Sequence, residues 1–129
     1  MINLDDSYAP EAEAPRFTPG QLVKHRKYNY RGVIVDGDMS CKASEKWYHS
    51  NQSQPKKDQP WYHVLVHEAA HVTYAAQSNL LLDESTEPIL HPMTGLFFSG
   101  FENGQYLRNK VPWNPGEPPE NLPPKPPFA

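Results

Sequence analysis

The stretch "VLVHEAAHVTYAA", residues 64–76, decides the fold, because it can be read in two incompatible ways. His67, Glu68 and His71 spell the HExxH pattern of zinc peptidases, in which two histidines one helical turn apart bind one metal while the glutamate polarises its water. That chemistry demands a helix. In a strand, residues i and i+4 share a face but lie roughly 13 Å apart at about 3.3 Å per residue, too far for two nitrogens each about 2 Å from one zinc.

The flanks favour strands. Pro60 precedes "WYHVLV", a run of aromatic and β-branched residues broken only by His63 and Leu65, and "HVTYAA" follows before the chain lapses into "QSN". Glu68, Ala69 and Ala70 between them predict a short irregular turn. The metzincin continuation needs glycine and histidine where Tyr74 and Gln77 stand. Glu84, Glu87 and His91 remain as third ligands, but they lie in an acidic, proline-bearing loop. The motif is therefore read as a chance match across a strand-to-strand connection, with no metal assigned.

Working outward, "QLVKHR" predicts a strand at about 21–26, and "RGVIVDGD" a second, through Val33, Ile34 and Val35 and ended by Asp36 and Gly37, the two forming a hairpin across "KYNY". On that reading Asp36 and Asp38 sit solvated on a glycine turn. Ser44 or Ser40 caps a short helix near 43–49. After the polar loop "SQPKKDQP" come strands at 61–66 and 71–76, then "NLLLD" as a last short apolar element. "HPMTGLFFSGFENGQYLRN" reads as an extended cover with one helical turn, its Phe97, Phe98, Phe101 and Tyr106 belonging to core or lid. Many short β-runs with one brief helix predict a mainly β protein, a small antiparallel barrel.

Composition sets the limits of the domain. The chain has 129 residues, 15 prolines and 37% hydrophobic residues, which allows one small domain with tails. Residues 1–15 form an acidic leader with no base, expected to be disordered. Residues 112–129 hold eight prolines and form a second tail expected to be disordered, leaving a packed domain over 16–111. Cys41, the single cysteine, excludes an internal disulfide and reads as a small, partly buried side chain. Neither a signal peptide nor a membrane-length apolar run is seen, so a cytoplasmic protein away from membranes is expected.

The net charge of −3 hides an asymmetry. Residues 16–60 carry nine bases against four acids, whereas 61–129 carry three against seven. A basic half of this kind can face phosphate, and "KHRKYNYR" mixes cations with tyrosines as a nucleic-acid surface does, although a solvated charged loop is the commoner meaning of such a run. Lys24, Arg26, Lys27, Arg31, Lys56 and Lys57 are the expected phosphate contacts, with Tyr28 and Tyr30 as supports. No phosphate loop, nucleophile elbow or paired cysteine cluster occurs, so neither catalysis nor a cofactor is expected.

"FTPGQLVKHRKYNYRGVIVDGD", "SEKWY", "QPWYHVLV", "TYAAQSNL" and "HPMTGLFFSGF" resemble, in that order, the family of hemimethylated-DNA-binding proteins also called YccV-like or heat shock protein HspQ. The similarity runs over about 16–110, and a related domain ends a eukaryotic F-box protein. The resemblance implies an SH3-like barrel without catalytic activity. It also implies two roles: binding hemimethylated origin DNA, including GATC sites, and modulating the ATP-dependent protease Lon and its substrates as a stress-induced adaptor. Exposed strand edges make a homo-oligomer a further expectation.

Overall fold

Strands β1 (Leu22–His25) and β2 (Arg31–Asp38) form the expected hairpin, paired from Leu22 with Val33 to Lys24 with Arg31. Strand β3 (Trp61–Val66) adds to β2, β4 (Val72–Ala76) adds to β3, and β5 (Leu80–Leu82) returns to β1. The result is one antiparallel sheet in the order β4-β3-β2-β1-β5. These elements come from a computed structural model that describes residues 13–113; residues 1–12 and 114–129, which make up nearly all of the expected leader and tail, lie outside the described residues.

Strands β4 and β5 are consecutive in the chain yet occupy opposite edges of the sheet. Only the 3₁₀ turn Gln77–Asn79 joins them, and three such residues advance about 6 Å, so the sheet must curl until its edges approach. It does not close. Each strand is antiparallel to its sheet neighbour, so β4 and β5 run in the same direction, and a parallel ladder needs a crossover of a dozen or more residues. The expected mainly β, antiparallel architecture is present, and the expected small barrel is corrected to a curled, open sheet among the described residues. Gln77 spans the seam: its Oε1 accepts from the Arg16 amide (2.8 Å) and the Tyr62 hydroxyl (2.5 Å), and its Nε2 donates to Glu13 and the Ala14 carbonyl.

Strand β3 is buried on both faces, which is why "WYHVLV" is apolar apart from His63 instead of alternating. Tyr62 and Val64 point into the curl with Phe17, Val23, Ile34, Ala75 and Leu80. On the other face Leu22, Val33, Val35 and Leu65 meet Ile89, Phe97 and Phe98. A third cluster of Trp47, Trp61, Tyr74 and Ala76 lies beneath helix α1 (Glu45–Ser50), whose N-cap Ser44 accepts from the Trp47 amide.

Two expectations are revised here. The cover over 91–109 has its expected single helical turn, α2 (Thr94–Phe97), but in place of an extended strap it continues into a hairpin of β6 (Phe98–Glu102) and β7 (Gln105–Arg108). Asn103 and Gly104, at φ 55° and 79°, make the two-residue turn between them. Nor does β2 end at Asp36. It runs on to Asp38 through a bulge at Val35, where the pairing with β3 shifts by one residue, and so keeps Asp36 and Asp38 on the strand rather than on a turn. Asp38 accepts from the Tyr74 hydroxyl at 2.6 Å and lies 3.6 Å from His63. The Val35 carbonyl accepts from Arg108 Nε at 2.9 Å, which ties the second hairpin to the bulge.

Candidate nucleic-acid interface

The HEAAH segment forms the connection between β3 and β4, as expected. Glu68 sits at φ 61°, in the left-handed region that no α-helix contains, and its amide bonds the Leu90 carbonyl at 2.8 Å. His67 Nδ1 accepts from the Leu90 amide at 2.9 Å. His91, one of the third-ligand candidates, uses Nδ1 on the Met93 amide and Nε2 on the His71 carbonyl. Glu84 and Glu87 are exposed in the loop after β5. Among the described residues no group of three His, Cys, Asp or Glu side chains is arranged to hold a metal ion.

The basic residues fall into two sets. Arg26 and Lys27 occupy the turn between β1 and β2, and Lys56 lies in the loop before β3, thirty residues away in sequence. Ser78, in the 3₁₀ turn, draws them together. Its carbonyl accepts from Arg26 Nη1 (3.2 Å) and its amide donates to Gln59 Oε1 (2.8 Å), while Gln59 Nε2 holds the Lys56 carbonyl (2.8 Å). The Arg26 amide also bonds the Asn79 carbonyl, and the Gln77 amide bonds that of Pro60. One edge of the curl thus presents Arg26 and Lys27 from one loop and Lys56 from another, with Lys24 exposed on neighbouring β1. None of these four cations has a carboxylate partner among the described residues.

The remaining candidates are engaged elsewhere. Arg31 donates to Asp83 Oδ2 (2.5 Å) and to the Glu87 carbonyl (2.6 Å), with its side chain only 20% exposed. Burial would raise the Asp83 carboxyl, but Arg31 and Ser85 together hold it below the ordinary range. Lys57 pairs with Glu45 on α1 and lies over the Tyr48 ring at 4.6 Å. Tyr30 is half-buried, its hydroxyl on Thr73 at 2.8 Å, and burial pushes its ionisation well above the usual range. Both tyrosines are half-exposed and pack on His25, Tyr28 at 4.7 Å and Tyr30 at 5.1 Å between ring centroids, but only Tyr30 is also tied to Thr73 and the core, which leaves Tyr28 as the one beside the cationic turn.

Sequence reading missed Arg16. It lines an open groove of about 780 Å³ with Phe17, Lys24, Leu80 to Leu82, Asp83 and Glu84. Its signal was its neighbour Phe17, an apolar residue that had to enter the core and so fixes Arg16 beside β5. Cys41 is half-buried, its amide on the Lys57 carbonyl, and burial pushes its thiol upward. No helix among the described residues is long and apolar enough to cross a membrane.

Comparison with known proteins points in one direction. The family described as "Hemimethylated DNA-binding protein YccV like" matches residues 15–105. F-box only protein 21 of Homo sapiens is 34% identical over 96 residues, covering 72% of this chain and 15% of that protein, and those of Pongo abelii and Mus musculus match to the same extent. The chain therefore spans about 15% of the length of these curated relatives.

Proposed function

Since the chain belongs to the YccV-like family of hemimethylated DNA-binding proteins, we propose that it is a non-enzymatic regulatory protein whose cationic edge around Ser78 grips the phosphates of a DNA duplex. The observation that carries this reading is that Ser78 in the 3₁₀ turn anchors Arg26 directly and the Lys56 backbone through Gln59, with Lys27 next to Arg26 in the β1–β2 turn, Lys24 on β1, and no carboxylate partner for any of them among the described residues. Phosphate contacts fix register but do not read methylation, so discrimination of a hemimethylated site falls to groups that reach the base edges or to the shape of the duplex. The half-exposed Tyr28 beside that turn is the aromatic group best placed to contribute. The strand order β4-β3-β2-β1-β5, with a 3₁₀ turn between β4 and β5, supports a kinship with SH3-like barrels.

The test is a fluorescence-anisotropy titration against otherwise identical hemimethylated, fully methylated and unmethylated GATC duplexes at two salt concentrations. Preference for the hemimethylated duplex that persists at the higher salt is expected. Equal binding to all three that vanishes with salt would reduce the reading to nonspecific phosphate attraction.

A second reading is favoured by the half-exposed Leu81 and Leu82 on an edge strand: a cytoplasmic heat-shock-type adaptor that modulates a Lon-type ATP-dependent protease and its substrates, or that self-associates through that edge. Client degradation rates with and without the chain test the adaptor role, and sedimentation tests the homo-oligomer.

A further inference from the structure

Strand β5 leaves one side of its backbone open. The Arg26 amide bonds the Asn79 carbonyl and the Asp83 amide bonds the Leu22 carbonyl, so residues 79, 81 and 83 direct their main-chain groups to β1. By the alternation of an antiparallel ladder, Leu80 and Leu82 direct theirs away from it. β5 ends the strand order, so no further strand covers that side among the described residues.

Edge strands are normally blunted by lysine, proline or a bulge. The sequence of this one is three leucines, with Leu81 and Leu82 half-exposed. Along it runs the open groove of about 780 Å³, its apolar wall formed by Phe17 and Leu80. The charges of the groove are unequal. Asp83 is already neutralised by Arg31, which leaves Arg16 and Lys24 against Glu84 and makes the groove net basic.

We propose that this groove is a peptide-docking site in which an extended segment with alternating apolar and acidic side chains adds to the outer edge of β5. The main-chain groups of Leu82 and the carbonyl of Leu80 supply the ladder, the apolar side chains enter between Phe17 and Leu82, and the acidic ones meet Arg16 and Lys24. The ladder does not depend on DNA binding, because the cationic edge at Ser78 uses other backbone groups; Lys24 alone is shared by the two surfaces.

The test titrates the full chain into a fluorescein-labelled decapeptide of alternating valine and glutamate. Leu82→Pro removes the outward-facing amide, at an edge position that tolerates proline, and Leu82→Ala, which keeps the amide, separates the loss of the side chain; the thermal transition is expected to stay in place while the proline variant loses about tenfold more peptide affinity than the alanine one. Methylating alternate amides of the peptide tests the same ladder on the unaltered protein, so the result does not hang on one variant folding. Lys24→Glu is expected to weaken the acidic peptide and to favour one in which lysine replaces glutamate. Equal binding of methylated and unmethylated peptide, or unchanged affinity in Leu82→Pro, would overturn the proposal. Self-association abolished by Leu82→Pro would assign the edge to a second copy of the chain instead. Loss of duplex binding in the same variant would assign it to nucleic acid.

Discussion

Replacing Arg26 and Lys27 by alanine offers a quantitative check, because the salt dependence of DNA binding counts phosphate contacts. Four cations, Lys24, Arg26, Lys27 and Lys56, lack carboxylate partners among the described residues. If each neutralises one phosphate, log K falls against log salt with a slope of about −3.6, so affinity drops about 150-fold between 50 and 200 mM salt. The double variant retains two contacts, a slope of about −1.8 and a loss of about 12-fold over the same range. Arg31→Ala and Lys57→Ala serve as internal controls. Their charges are taken by Asp83 and Glu45, so neither substitution should flatten the slope. Anisotropy titrations of a labelled GATC duplex at four or more salt concentrations measure all of this. A wild-type slope in the double variant, or a slope flattened as much by Arg31→Ala, would refute the assignment.

Three further outcomes are expected. Burial holds His63 below its ordinary pKa despite the opposing pull of Asp38 and Asp36, and burial likewise lowers His91. Both therefore contribute stability that is complete above about pH 6.5 and is lost as pH falls through their folded values, so the thermal midpoint should decline from pH 7 to 5, and less steeply in His63→Gln. Glu68→Gly should raise stability by about 0.5 kcal/mol in chemical denaturation, because glycine relieves the left-handed backbone at a small entropic cost; a loss would mean that the Glu68 side chain matters. Arg108→Met strips the donor from the Val35 carbonyl and from that of Val111, and should cost about 2 kcal/mol, or about 10 °C in thermal midpoint.

Where local chemistry dominates, the sequence was legible. The β1–β2 hairpin, the Ser44 cap, the β3–β4 pair and the turn through His67 to His71 all follow from residues within a few positions of each other. Errors arose where distant partners override the local signal. Asp36 and Gly37 look like a turn, but pairing with Tyr62 and His63 carries the strand through them, and Val35 absorbs the mismatch as a bulge. The β6–β7 hairpin was announced by Asn103 and Gly104, yet glycines at 95 and 100 masked the strand pattern; Gly100 lies against Leu107 on the partner strand. In the candidate site, charge alone could not separate Arg31 from Arg26. The difference is Asp83, fifty-two residues away.

The short 3₁₀ link between β4 and β5 also sets an order of events. A chain emerging from its N-terminus carries Arg26, Lys27 and Lys56 long before Ser78 and Asn79 exist to gather them. Until Leu80–Leu82 settles against β1, these cations belong to separate loops. The surface that would meet DNA is therefore completed only at the step that also seats the last strand of the sheet. A nascent or truncated chain ending before residue 77 would carry the same three positive charges but not the face they form.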